Sequence, residues 1–211
     1  SRVVIALAAL GLDPSDVEGV NLLAPLADMN YLERQGVNGP IWALIAFDAA
    51  GVETIPAVAE GGSQVSRDGL IDYLLNSRTS DGGWALSGSI ADPDVTSMAI
   101  TALAPYCASN TASKAAVDKA LECLSNIQQA DGSYVSMGAS NSGSCAQVIV
   151  ALCTLGIDPA ADARFIKNDT SVLDALLSFA MADGGFKRVA SASTVDGMAT
   201  EQALYALAAY D

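Results

Sequence analysis

Apolar residues fall along this chain in two kinds of stretch that alternate. The first kind is apolar almost all round and poor in charge: VVIALAALGLDP from Val3, GPIWALIAFDAAG from Gly39, SMAITALAPY from Ser97, AQVIVALCTLGIDP from Ala146 and MATEQALYALAAY from Met198. A helix with no polar face has to be buried. The second kind covers residues 22–34, 67–77, 115–128 and 172–181 and carries apolar residues at helical spacing with charges opposite. In the third of these, Val117, Leu121, Leu124 and Ile127 form one stripe, while Asp118, Lys119 and Glu122 lie away from it. No segment shows sustained strand alternation. The pattern predicts five inner and four outer helices in an all-α, α/α-toroid arrangement, with residues 1–211 forming one repeat domain. A closed ring of six pairs needs about twelve helices, so the expected toroid is incomplete or open. Its first inner helix then leaves an apolar flank at the N-terminal edge.

The regularity is an internal repeat. SDGGWALSGSIADPDVTSMAITALAPY from Ser80, ADGSYVSMGASNSGSCAQVIVALCTLGIDP from Ala130 and ADGGFKRVASASTVDGMATEQALYALAAY from Ala182 share one layout. Each opens with Asp-Gly, then Gly or Ser, then an aromatic (Trp84, Tyr134, Phe186), followed by a polar loop and an Ala-rich helix. Successive Asp-Gly turns lie about fifty residues apart, in the range of helical-pair repeats. The turn glycines are expected to supply positive φ, and the aromatics to staple one repeat to the next. Asp92 and Asp94 flank Pro93 at the start of a helix, where an acid caps free N–H groups and Pro suits the first turn. They do not recur as a pair in the sister repeats.

Composition narrows the chemistry. The chain is 51% apolar with a mean hydropathy of +0.34 but only 6% aromatic, so the core is built from small aliphatic side chains. No apolar run reaches the roughly 18–20 residues of a membrane span, and direct membrane insertion is not expected. A net charge of −14 argues against nucleic acid and anionic lipid surfaces as partners. The absence of histidine removes Ser-His-Asp and Cys-His catalysis and every metal site that depends on imidazole. Cys107, Cys123, Cys145 and Cys153 have no metal-ligand spacing and read as small buried hydrophobes. No metal or cofactor is expected. The chain opens at Ser1-Arg2 without a methionine, as a trimmed piece of a larger multidomain protein does, so a missing signal peptide carries no information.

The Asp-Gly-Gly-aromatic turn together with DPDVTSMAITALAPY, AQVIVALCTLGIDP and MATEQALYALAAY resembles the prenyltransferase and squalene-oxidase repeat. That resemblance implies the α/α toroid of terpene cyclases, protein prenyltransferase β subunits and the helical domain of transcobalamin-like vitamin binders. Within this group it leans toward repeat domains of secreted or surface proteins of Gram-positive bacteria, which implies an extracellular or cell-surface location. Such a domain often accompanies a small β domain, and the neighbouring domains of the parent protein are then among its partners.

One toroid hosts several activities, and each requires its own residues. Asp92-Pro93-Asp94-Val95-Thr96 is similar to the acid motif of class II terpene cyclases, with Asp94 as the implied proton donor and Asp92 its neighbour. Val95 stands where that motif has its final acid. The zinc ligands of protein prenyltransferases are not matched, because the Asp-x-Cys pattern and the His are missing. SGSCAQ around Cys145 lacks the Gly-Glu-Gln of thioester toroids. Asp92, Asp94, Asp196 and Glu201 all lie near the starts of inner helices, where glycan cleavage by paired carboxylates is a further possibility. Gln147 and Gln202 interrupt apolar helices, and a buried amide needs partners.

The expected function is binding or scaffolding without catalysis, and the alternative is an enzyme using the mouth carboxylates. The ligand would be a small molecule (a corrinoid by resemblance), a glycan, a peptide or a partner protein. The expected site residues are Trp84, Asp92, Asp94, Thr96, Gln147, Thr200, Glu201 and Gln202, gathered where helix N-termini favour polar or anionic ligands.

Overall fold

A computed structural model describes residues 1–211 and contains nine α-helices. The chain divides into two compact units, Ser1–Arg78 and Thr79–Asp211. In the first unit, α1 (Arg2–Ala9), α2 (Met29–Leu32), α3 (Asn38–Ala49) and α4 (Arg67–Asn76) appear in order. Helix α3 is buried nearly all round and packs against the other three. Gly39 lets the chain approach closely there, since a Cβ would stand 2.0 Å from the Leu32 carbonyl oxygen. Arg67 at the start of α4 pairs with Asp48 at the end of α3 at 3.0 Å. Only Val4 of α1 is buried, and Val3, Leu10 and Leu12 are exposed, so an apolar flank does lie at this end.

The stretch 22–34 is not one amphipathic helix. It folds as a 3-10 turn (Ala24–Ala27), the single turn of α2 and a second 3-10 turn (Glu33–Gln35). Pro25 belongs to a first turn, and Asp28 is extended, accepting from the Asn30 N–H at 3.0 Å and the Ser63 N–H at 2.9 Å. Each feature stops a helix from running through.

The second unit contains α5 (Pro93–Leu103), α6 (Thr111–Ile127), α7 (Ser142–Thr154), α8 (Val172–Leu177) and α9 (Gly197–Tyr210). Helix α7 packs between α5 and α9, α6 lies on α5, and α8 lies on α7. The inner-outer alternation of the sequence is therefore present here, around a core rich in Ala, Val, Ile and Leu. Helix α8 starts in a Ser171/Asp174 capping box and is shorter than the pattern suggests. The chain leaves it at Ser178, whose hydroxyl donates to the Ala175 carbonyl at 2.7 Å.

The chain is not purely α. Two hairpins, β1 (Val135–Ser136) with β2 (Ala139–Ser140) and β3 (Ile166–Lys167) with β4 (Thr170–Ser171), lie in the polar connections. Their two-residue turns are Met137-Gly138 and Asn168-Asp169, all four at positive φ, as hairpin geometry demands. Strands of two residues leave no alternation to read.

The repeated turns behave as expected. Gly82, Gly132 and Gly184 take φ of 95°, 77° and 93°, and the aromatics that follow, Trp84, Tyr134 and Phe186, are buried. All four cysteines are free thiols. Burial pushes the Cys123 thiol up to about 11 and Cys145 up to about 12, so neither is a ready nucleophile.

Candidate functional site at the starts of the inner helices

Helices α5, α7 and α9 begin in the same way. Asp92 Oδ1 accepts from the N–H groups of Asp94 and Val95 at 2.9 and 3.1 Å. Asn141 Oδ1 accepts from the Ser144 N–H at 2.9 Å, and Asp196 Oδ1 from the Ala199 N–H at 2.8 Å. The same three residues are also tied back to their turns, because their N–H groups donate to the carbonyls of Trp84, Tyr134 and Phe186.

A second bond fixes the first and third turns to their helices. The Trp84 N–H donates to Thr96 Oγ1 at 2.9 Å, and that hydroxyl returns a bond to the Trp84 carbonyl at 3.1 Å. The Phe186 N–H donates to Thr200 Oγ1 at 2.9 Å. Cys145 holds the equivalent place beneath the Tyr134 N–H. Gly83 and Gly185 are required by this contact, since a Cβ on them would stand 2.6 and 3.0 Å from the threonine hydroxyls.

Neighbouring starts are stitched together sideways. Ser136 on β1 donates to Asp92 Oδ2 at 2.7 Å. Ser142 at the start of α7 donates its N–H to the Arg188 carbonyl and its hydroxyl to the Lys187 carbonyl, both at 3.0 Å. The Gln202 amide of α9 packs on Gly143 of α7, where a Cβ would stand 2.6 Å from Gln202 Oε1.

Asp94 stands apart from these satisfied groups. It sits in the first turn of α5, and its Oδ1 is buried with no hydrogen-bond partner. Burial raises its pKa to about 6. The Ser144 hydroxyl and the Arg188 charge pull the other way, and the Asp92 carboxylate adds to the rise. One turn further along the same face, Ser97 Oγ is also buried and unpartnered. Buried polar atoms without partners are rare enough that each calls for an explanation.

The expected site residues thus separate by what they already do. Asp92 has both oxygens engaged, one capping α5 and one on Ser136. Thr96 and Thr200 hold the aromatic turns, and the Trp84 ring is fully buried in the core. Glu201 is exposed on α9. Gln147 is half-buried one turn beyond Gly143 on the face that Gln202 meets. Gln202 thus meets the start of α7 at Gly143, and Asp94 lies with Ser97, Ser144 and Arg188. The last three escaped the sequence reading. Aligning Asn141 with Asp92 and Asp196 marks the start of α7 and leads to Ser144, but nothing in the sequence singles out Arg188 or Ser97.

No group of three or more Asp, Glu or Cys side chains is arranged to hold a metal ion, and no helix is long and apolar enough to cross a membrane.

No protein-family model matches the chain, and no curated protein matches it. Among solved structures it is similar to Candida albicans protein geranylgeranyltransferase-I complexed with GGPP. The superposition has a TM-score of 0.53 at 16% identity and covers 82% of this chain and 49% of that one. The fold is that of the α/α-toroid prenyltransferases. This chain spans about half the length of that enzyme chain.

Proposed function

We propose that the chain is a non-catalytic binding domain whose site is the start of the inner helices of the second unit, centred on Asp94. The observation that carries this reading is the buried Asp94 Oδ1 without a partner, among groups otherwise spent on capping and turns. A ligand that donates a hydrogen bond to Asp94, with Ser144 and Arg188 beside it, would satisfy that oxygen. The resemblance of the repeat to vitamin-binding and Gram-positive surface domains supports an extracellular or cell-surface location. It also puts corrinoids first among small molecules, ahead of glycans and peptides.

The test is thermal unfolding of wild type and Asp94→Asn against cobinamide, a set of cell-wall oligosaccharides and a peptide set. One class raises the wild-type Tm, by about 2.7 kcal/mol of stabilisation at a hundred times Kd, and Asp94→Asn loses most of that shift. No response to any class overturns the reading.

A second reading is acid catalysis by Asp94. A carboxyl that keeps its proton up to about pH 6 suits a general acid, and the similar solved structure is an enzyme. On this reading Asp94→Asn abolishes any turnover found, and turnover that survives the substitution ends it.

A further inference from the structure

The loops that lead into α5, α7 and α9 place large apolar side chains in solvent. Ile90 is 73% exposed and Leu86 58% in the first, and Met137 is 93% exposed beside Val135 in the second. Val195 precedes α9, and Met198 in its first turn is 66% exposed. These loops form one continuous edge, because Ser136 bonds Asp92 and Ser142 bonds the carbonyls of Lys187 and Arg188. Six of the ten large exposed hydrophobics of the second unit lie on this edge. Exposed apolar groups gathered in this way mark interaction surfaces, whereas scattered ones do not.

Met137 is the sharpest case. It occupies the tip of the β1–β2 hairpin at φ 53°, a conformation that disfavours an L side chain. The sister hairpin has Asn168-Asp169 there, residue types suited to positive φ. Met137 gains nothing from the core in exchange.

Charge indicates what the edge would meet. Asp92, Asp94, Asp196 and Glu201 lie at the starts of these helices, and the chain as a whole carries −14. Of the two nearby cations, Arg188 acts on Asp94, and Lys187 turns back to the Ala190 carbonyl at 3.0 Å. The field along the edge favours a basic partner and repels an anionic membrane. Packed helices lie roughly 8–10 Å apart, so three successive loops span roughly 16–20 Å. An extended chain covers that distance in about five or six residues.

We propose that this edge docks a basic, apolar polypeptide segment of a partner protein, with apolar side chains on the three loops and Lys or Arg beside the helix-start carboxylates. The proposal rests on the binding reading above and names the partner of that same end of the unit.

The probe is a fluorescein-labelled 12-residue peptide of alternating Leu and Lys, titrated by anisotropy. Its controls are a Leu/Glu and a Ser/Lys peptide of the same length. The Leu/Lys peptide is expected to bind saturably and at least tenfold more tightly than either control. The double variant Ile90→Ser, Met137→Ser is expected to weaken it at least tenfold, while Leu204→Ser, Tyr205→Ser on α9 leaves it unchanged. Circular dichroism and Tm of both double variants should match wild type, because all four side chains are exposed.

Equal binding of a control peptide overturns the proposal, as does no saturable binding or insensitivity to the edge pair. So does a wild-type dimer, seen by sedimentation, that the edge pair dissociates, or binding to phosphatidylcholine vesicles that the edge pair abolishes. The two readings separate cleanly. Peptide binding lost in the edge pair but kept in Asp94→Asn supports the edge and counts against the Asp94-centred site. A ligand-induced Tm shift that needs Asp94, without any peptide binding, overturns the edge alone.

Discussion

Asp94 is the residue on which the proposed site depends, and its titration has a definite sign. Its pKa rises from 3.8 to about 6 on folding, so the fold favours the protonated acid. That contribution is complete below about pH 3.8 and is lost as the pH rises through 6. Asparagine mimics the neutral acid at every pH. Asp94→Asn should therefore match wild type near pH 4 and exceed it by up to about 3 kcal/mol at pH 8. A Tm difference that stays flat from pH 4 to pH 8 would show that the carboxyl is not buried as described. Thr96 gives a contrasting case, since its hydroxyl both accepts from and donates to the Trp84 backbone in the core. Thr96→Val strands those groups and should cost about 2–3 kcal/mol in urea unfolding. Thr96→Ser keeps the hydroxyl and should cost less.

Among the elements, the turn-to-helix junction is the unit that repeats. Gly83 has no room for a methyl group, which would stand 2.6 Å from both Thr96 Oγ1 and Ala91 Cβ. Gly83→Ala should destabilise by about 1–3 kcal/mol in equilibrium unfolding, through overpacking. Much of this level was legible in the sequence. The two hydrophobic patterns mark helices at eight of the nine expected places, and the Asp-Gly-aromatic spacing marks the junctions. The matching LGLDP and LGIDP ends close the same C-terminal turn, with the Leu12 N–H on the Leu7 carbonyl and the Ile157 N–H on that of Leu152. The 22–34 stretch misled because its apolar spacing fits a helix, while Pro25 and an extended Asp28 interrupt the backbone. The hairpins were invisible because two-residue strands are specified by their turns. Thr96 and Thr200 were expected as ligand contacts, but they bond backbone groups of distant turns, which no side-chain pattern encodes.

For the whole molecule, charge and fold class are the reliable inferences. The likeness to a protein prenyltransferase chain, of which the match covers 49%, agrees with a fold read from its repeats, and it carries no chemistry at 16% identity. A charge of −14 with no compensating basic stripe predicts no mobility shift of duplex DNA at 0.1 M salt, and a shift would contradict the partner class proposed above. The central claim is that the second unit holds a half-buried carboxyl, with one oxygen buried and unpartnered, ready for a ligand at the start of its inner helices. Carboxyl 13C NMR titration of Asp94 in the ligand-free protein tests it most directly. A midpoint near pH 6 is the predicted result, and a midpoint below 4.5 would mean a solvated acid and no such site.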